Sequence, residues 1–433
     1  MDFSGKKAAF FTLGCKLNFS ETSTISRHFE VMGFKRVDFK DKADVYVINS
    51  CSVTAESDKK SRNIIRQAIR RNPNALVVVT GCYAQLQADV IEQIAGVDYI
   101  LGTNAKFRMT DFFDGFRKRE NPFVLLQSQN KNHDYYHAAS WGDRTRSFLK
   151  VQDGCDYFCT YCTIPFARGR SRSDTIVNTI AKARETVGQG IKEIILTGVN
   201  IGDFGKSTKE TFIDLLKQLD EVEGLERLRI SSVEPNLLTD EIIDFVASSK
   251  RIAPHFHLPL QSGSNDVLEL MKRKYKRELF AAWVEKIRTV LPHAFIGVDI
   301  IAGTNGETES FFLDSYNFIK ELAVSQLHAF PYSERPGTKA LEIKPVVSVD
   351  ERKQRTRQLI QLSEKKLRSF YEQNQGQIRP VLFENETNHE RLHGFTDNYI
   401  RVETGFDSRL VNQMKQVKLS EINNMGNFDV DLF

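Results

Sequence analysis

Gln152-Asp153-Gly154-Cys155-Asp156-Tyr157-Phe158-Cys159-Thr160-Tyr161-Cys162 is the stretch whose reading decides the fold. Three cysteines fall within eight residues, spaced Cys-x3-Cys-x2-Cys, just past the apolar run 148–151. Thiolates suit zinc and iron–sulfur clusters alike. Structural zinc takes four ligands, and no fourth is close: His133 and His137 lie upstream at a distance, and the next histidine is His255. Three thiolates fit a [4Fe–4S] cluster with one iron left open for an exogenous ligand.

Outward from this loop, residues 148–331 alternate strand-like and helical runs. Strands are expected at 148–151, 193–197, 227–231, 255–260, 295–301 and 326–331, with amphipathic helices between them. Six such units are too few for an eight-unit barrel and predict a partial one, whose chemistry sits at the strand C-termini. Toward the N-terminus, runs at 8–13, 44–49, 76–80 and 97–101 separated by helices predict a parallel sheet in an open α/β domain. Toward the C-terminus follow a charged helix at 350–371 and a β-rich segment with runs at 379–383, 399–403 and 416–419, predicting a small barrel.

The other three cysteines are Cys15, Cys51 and Cys82, and each closes a strand-like run in the N-terminal segment. In a parallel sheet all strand C-termini share one edge, where open α/β sheets bind ligands. Three cysteines from three strands are therefore expected to converge, again one ligand short of saturating a cubane. Gly14 and Gly81 give the backbone room to turn there.

Composition argues against a secreted scaffold, a membrane protein and a disordered chain. The 433 residues are 41% hydrophobic and 27% charged, ordinary for globular domains. No apolar run is long enough to span a membrane, and the opening residues lack the apolar core of a signal peptide. The expectation is a cytoplasmic protein with no membrane partner, in which clustered cysteines serve metal or catalysis rather than disulfides. Net charge is +4. Residues 376–433 hold six Lys/Arg against nine Asp/Glu, so the tail carries −3 and the rest +7. Basic runs occur at Lys59, Lys60, Arg62 and Arg66, at Arg168, Arg170 and Arg172, at 272–277 and at 352–357. Several such runs on a net-positive body favour phosphate contacts.

The Cys155–Cys159–Cys162 loop on a partial barrel resembles the radical S-adenosylmethionine (SAM) superfamily. With Thr12-Leu13-Gly14-Cys15-Lys16-Leu17-Asn18, Asn49-Ser50-Cys51-Ser52-Val53-Thr54 and Thr80-Gly81-Cys82-Tyr83-Ala84-Gln85, the chain resembles the methylthiotransferase family over almost its whole length. Thr197-Gly198-Val199-Asn200, Ser231-Ser232-Val233-Glu234-Pro235 and His257-Leu258-Pro259-Leu260-Gln261-Ser262-Gly263 match as well. The resemblance implies an N-terminal domain (1–126) with an auxiliary [4Fe–4S] cluster, a linker (127–145), a radical SAM core (146–348), a connecting helix (349–375) and a TRAM domain (376–433). It implies Cys15, Cys51 and Cys82 as ligands of one cluster and Cys155, Cys159 and Cys162 of the other. It implies two SAM per turnover, one as methyl donor and one as radical source, with Tyr161, Gly198, Asn200, Glu234, Gln261, Ser262 and Asp299 around SAM. An electron donor such as flavodoxin or ferredoxin and a sulfur source are further implied partners.

Two departures stand out. Residues 302–307 read Ala-Gly-Thr-Asn-Gly-Glu where members carry a Val-Gly-Phe-Pro-Gly-Glu type segment. The acidic tail also argues against a uniformly basic TRAM surface and leaves local patches such as Arg391, His393 and Arg401 for RNA. Within the family, Gln152-Asp153-Gly154-Cys155 and Ile164-Pro165-Phe166-Ala167-Arg168-Gly169-Arg170 resemble the branch that acts on N6-threonylcarbamoyladenosine beside the tRNA anticodon. That substrate's threonyl carboxylate gives Arg168 or Arg170 an expected substrate-binding role. Isopentenyladenosine in tRNA and an aspartate of a ribosomal protein are the alternative substrates. A non-catalytic RNA-binding iron–sulfur protein is the alternative of another class.

Overall fold

The computed structural model describes residues 3–126, 134–142, 144–384 and 390–432. Strands β1 (Lys7–Thr12), β2 (Lys35–Val37), β3 (Val45–Ser50), β4 (Leu76–Gly81), β5 (Tyr99–Leu101) and β6 (Phe123–Leu125) form one sheet in the order β2-β1-β3-β4-β5-β6. Every neighbouring pair is parallel. All residues of β3 and β4 are buried, which is why their sequences read as continuous apolar runs: helices cover both faces. Alternate side chains feed separate cores, Tyr46, Ile48, Val77 and Val79 on one face, Val45, Val47, Leu76 and Val78 on the other. The three-residue strands β2 and β6 were not expected; they are edge strands, too short to leave a pattern.

Three helices begin at the C-terminal edge of this sheet: Lys16–Val31 after β1, Ala55–Arg71 after β3 and Cys82–Leu86 after β4. Thr54 caps the second of them, its hydroxyl accepting from the Ser57 N–H at 3.1 Å. Each of the three widely spaced cysteines therefore sits at a strand-to-helix junction on one edge.

Strands β7 (Ser147–Lys150), β8 (Glu193–Thr197), β9 (Arg227–Ile230), β10 (His255–Gln261), β11 (Phe295–Ala302) and β12 (Gln326–Pro331) form two parallel three-stranded sheets, β7-β8-β9 and β10-β11-β12. Bridges Leu228–Ile252 and Ser232–His257 join them into one partial barrel around a single core. An open barrel leaves two unpaired edges, a liability that proteins cover. Here helix Lys16–Val31 packs on β7 and helix Val349–Asn374 packs on β12. The N-terminal domain thus contributes directly to closing the barrel.

Strands β13 (Ile378–Phe383), β14 (Arg391–Thr396), β15 (Arg401–Gly405), β16 (Met414–Ile422) and β17 (Phe428–Leu432) close a small barrel, β13-β14-β15-β17-β16. It docks on the N-terminal ends of β8 and β9. Arg227 donates to the carbonyls of Pro380 and Phe395, and Arg229 to those of Thr396 and Asp397, while both pair with the buried Glu193. Burial opposes ionisation of Glu193, but the two guanidinium charges overcome it and hold the carboxyl down to about 2.

Of the expected linker, residues 127–133 and 143 lie outside the described residues. Residues 134–142 run against the barrel, where Ala139 bridges Leu149 and the Tyr135 hydroxyl donates to the Lys150 carbonyl at 2.8 Å. The unusual 302–307 segment is fixed by its own chemistry: Arg355 pairs with Glu307 at 2.9 Å and Asn305 donates to the Ala340 carbonyl at 3.0 Å. No helix among the described residues is long and apolar enough to cross a membrane.

Candidate functional site

A cavity of about 570 Å³ lies between the cysteine-bearing edge of the sheet and the strand C-termini of the barrel. Gly14, Cys15, Cys51 and Thr54 form one wall, and Tyr161, Cys162, Gln261, Asp299 and Phe330 belong to the other. Members of both cysteine triads therefore face the same space.

The local geometry of the dispersed triad follows from close backbone approach. Gly14 has φ +96°, and a Cβ there would meet Cys51 Cβ and Sγ at 2.8 Å. Gly81 has φ +94°, and a Cβ there would sit 2.4 Å from the Ser50 carbonyl. Any side chain at either position would push the cysteine-bearing ends apart. Cys51 and Cys82 are buried and Cys15 is exposed to the cavity. Burial pushes the Cys51 thiol up to about 11 and raises that of Cys82.

The compact triad is organised within its loop. The Cys162 N–H donates to the Cys159 carbonyl at 3.0 Å, and the N–H groups of Tyr157 and Ile164 donate to the sulfurs of Cys155 and Cys162 at 3.5 Å each. Arg273 Nη1 donates to Cys159 Sγ at 3.2 Å. Burial brings Cys155 and Cys162 up to about 12. All six cysteines are free. Buried thiols of this kind give up their protons only against bound cations. Among the described residues no triad closes on a single ion; a cubane, ligated at separate corners, does not require it. The donor set and its burial fit a cluster better than a lone metal.

Of the residues expected around SAM, Tyr161, Gln261 and Asp299 line the cavity. Asp299 Oδ1 lies within hydrogen-bond distance of His257 Nε2, at 2.9 Å. Gly198 and Asn200 sit at the end of β8, where the Gln152 amide oxygen receives the N–H groups of Val199 and Asn200 at 3.0 and 2.8 Å. The Oδ1 of Asn200 is buried without a partner among the described residues. Glu234 is held by Arg273, the same arginine that reaches Cys159. Ser262 differs from expectation: its hydroxyl turns to Ser315 on the outer helix and receives the Ser264 N–H, so it faces away from the cavity.

The two expected substrate arginines also differ. Arg168 is 1% exposed and its guanidinium is consumed by Glu21, Asp153 and Asn18. Arg170 is exposed, stacked 4.7 Å over Phe158 and 3.6 Å from Asp156. Neither lines the cavity. The basic run 352–357 is partly internal, because Arg352 and Arg355 are buried in pairs with Glu334 and Glu307. In the C-terminal barrel Arg391 pairs with Glu403 and Asp429, and His393 with Glu403. Lys16 directly follows Cys15. It keeps solvent contact beside Cys15 and has no ion pair of its own among the described residues. The surrounding protein and the charges of Arg146 and Arg229 bring it down to about 8. Its signal was its place directly after a cysteine in a motif.

Residues 7–102 match the uncharacterized protein family UPF0004, and residues 149–319 match the radical SAM superfamily. The chain is therefore a radical SAM enzyme. The threonylcarbamoyladenosine tRNA methylthiotransferase MtaB of Bacillus subtilis is 42% identical over 419 residues, 95% of this chain and 93% of that protein. MtaB of Aquifex aeolicus is 39% identical over 92% of this chain and 96% of its own length. The tRNA-2-methylthio-N(6)-dimethylallyladenosine synthase of Clostridium botulinum is 30% identical over 96% of this chain and 94% of its own. In fold, the chain is similar to the radical SAM methyltransferase TsrM of Kitasatospora setae, with a TM-score of 0.56 at 15% identity over 77% of each chain. The chain belongs to the MtaB-like family of radical SAM methylthiotransferases, which carry two [4Fe–4S] clusters and use SAM.

Proposed function

We propose that the protein converts N6-threonylcarbamoyladenosine, at position 37 beside the tRNA anticodon, into its 2-methylthio derivative. The observation that carries the reading is the shared cavity, with Cys15 and Cys51 on one wall and Cys162 on the other. Identity points the same way: MtaB relatives reach 42% and 39%, against 30% for the dimethylallyladenosine synthase.

Cys15, Cys51 and Cys82 are assigned to the auxiliary cluster, and Cys155, Cys159 and Cys162 to the radical SAM cluster. When bound, the clusters and two SAM molecules supply a radical able to activate an unreactive C–H bond and the methylthio group that replaces it. The chain's own side chains orient the reactants. Tyr161 offers an aromatic face for adenine. The unpartnered Asn200 Oδ1 and the adjacent Gly198 turn suit the amino-acid end of SAM. Glu234 and Asp299 are carboxylates for ribose hydroxyl or ammonium donors, and Gln261 lines the same wall. Lys16, exposed next to the cavity-lining Cys15 and without an ion pair among the described residues, is our candidate for the threonyl-carboxylate role first expected of Arg168.

For tRNA, Lys59, Lys60 and Arg66 are exposed on the helix that follows Cys51 and can meet phosphates. The C-terminal barrel fits a TRAM domain of minor RNA role, since two of its three candidate contacts are neutralised internally and Arg401 remains exposed. A cytoplasmic setting, a flavodoxin- or ferredoxin-type reductant and a separate sulfur source complete the proposal.

Mass spectrometry of tRNA nucleosides from a deletion strain tests it. The expected result is loss of the 2-methylthio derivative with accumulation of N6-threonylcarbamoyladenosine. An unchanged level of that derivative overturns the reading, and loss of a methylthio group from isopentenyladenosine transfers it to the alternative substrate.

A further inference from the structure

Arg168 ends the short helix Ile164–Arg168, which begins two residues after Cys162. Its guanidinium leaves the barrel and enters the N-terminal domain. Nη1 donates to Glu21 Oε1 at 3.1 Å and Asp153 Oδ1 at 2.9 Å, and Nη2 donates to Glu21 Oε2 at 3.0 Å and Asn18 Oδ1 at 2.6 Å. Asn18 passes the contact on. Its Nδ2 donates to the Leu13 carbonyl at 2.8 Å and the Ser50 carbonyl at 3.1 Å. Leu13 lies two residues before Cys15, and Ser50 immediately precedes Cys51. Asn49 Nδ2 in turn donates to the Asn18 carbonyl at 3.0 Å. The Ser50 hydroxyl receives the Ala84 N–H at 3.2 Å, in the helix that Cys82 begins, and donates to the Thr80 carbonyl. That helix also packs against Ile164–Arg168. One buried guanidinium thus reaches, through the Asn18 amide, the backbone beside Cys15 and Cys51, and the Ser50 hydroxyl ties that backbone to the helix that Cys82 begins.

The charges around it do not balance. Lys106 lies 2.5 Å from Glu21, Lys150 lies 3.2 Å from Glu21 and 2.7 Å from Asp153, and Arg172 lies 3.2 Å from Asp153. Four cations, counting Arg168, share two carboxylates, and all six side chains are buried. Uncompensated buried charge is costly. The surplus lies beside the dispersed triad, because the helix that Cys82 begins packs against Ile164–Arg168. A cluster on three thiolates carries net negative charge and offsets part of that surplus.

We infer that Arg168 is a positioning residue of the auxiliary cluster: it fixes the ligand-bearing backbone through Asn18, and its charge raises the cluster's reduction potential. The inference rests on the assignment of Cys15, Cys51 and Cys82 to a cluster. It also means that the auxiliary site is completed only when the barrel docks, because its outermost support comes from the segment just past the other triad.

The test uses the anaerobically reconstituted full chain with Arg168→Met and Arg168→Lys. The midpoint potential of the auxiliary cluster is read by EPR in a Cys155→Ala/Cys159→Ala/Cys162→Ala background, and chelator release of iron and SAM cleavage are read with both triads intact. Arg168→Met is expected to lower the auxiliary midpoint and to speed release of auxiliary iron about tenfold, with SAM cleavage within about twofold of wild type. Arg168→Lys is expected to restore the potential and not the resistance to chelator, since it keeps the charge and loses the fork. Unchanged potential and release in Arg168→Met overturn the inference, as does an equal loss from both clusters. If Arg168→Met does not fold, Lys106→Met must lower the same potential, and an unchanged value overturns the charge role. Wild-type protein that takes up only one cluster refutes the underlying ligand assignment instead.

Discussion

Cys155, Cys159 and Cys162 ride on one loop, whereas Cys15, Cys51 and Cys82 come from the ends of three strands. The compact triad is set by local hydrogen bonds, the Cys162 N–H to the Cys159 carbonyl and backbone N–H groups to two sulfurs. The dispersed triad is set by the parallel register of β1, β3 and β4, by two positive-φ glycines and by the Asn18 amide. Three cysteines are thus brought toward one another in one case by sequence spacing and in the other by tertiary structure. A loop can keep its geometry when neighbours shift; three strand ends cannot. Changes in packing should therefore separate the two sites.

The largest effect should come from replacing Cys155, Cys159 and Cys162 by alanine. SAM cleavage by the reduced protein should fall below detection, and iron should drop from roughly eight to roughly four per chain. Next, Glu193→Gln removes the carboxylate shared by Arg227 and Arg229 and should destabilise the docked C-terminal barrel by about 3–5 kcal/mol, measured by denaturant unfolding. The same group gives a pH dependence. Its carboxyl is depressed in the folded protein to about 2, so its stabilisation is present above its ordinary value of 4.5 and is lost as pH falls toward 2. Neither triad should change at neutral pH.

Ser50→Ala sharpens the comparison. It leaves the buried Ala84 N–H without its acceptor, a cost of about 1–3 kcal/mol. Auxiliary iron should become more labile to chelator while the compact triad is unmoved. The smallest effect should be that of Lys16→Gln. Iron content and SAM cleavage should persist, and turnover of threonylcarbamoyl-bearing tRNA should fall about tenfold, as for loss of one charged hydrogen bond.

The same contrast explains what the sequence revealed. The six barrel strands were legible because each is a buried apolar run bounded by helices, and the observed bounds differ by a residue or so. The edge strands β2 and β6, and strands β14 and β17 of the small barrel, were missed. Short or polar strands owe their pairing to neighbours rather than to a pattern of their own. The sequence marks the two cysteine triads, one by spacing and one by repeated strand-end position; the structure lines one cavity with Cys15, Cys51 and Cys162, and the division into two ligand sets is our proposal. Arg168 was misread, because a basic residue just past a cysteine loop looks alike from sequence whether it meets substrate or a buried glutamate. Glu21, Lys106 and Lys150 come from distant segments, and nothing in their spacing marks them as one network. Ser262 was misread for a related reason: alternation places its neighbour Gln261 toward the cavity, and the turn that follows sends Ser262 to Ser315.

The division of labour between the triads is the central claim, and one variant tests it directly. Full-length protein with Cys15, Cys51 and Cys82 all replaced by alanine should be reconstituted anaerobically and assayed for iron, SAM cleavage and methylthiolation of threonylcarbamoyl-bearing tRNA. The account predicts roughly four irons per chain, SAM cleavage close to that of wild type and no methylthio product. Loss of SAM cleavage, or retention of methylthiolation, would contradict it.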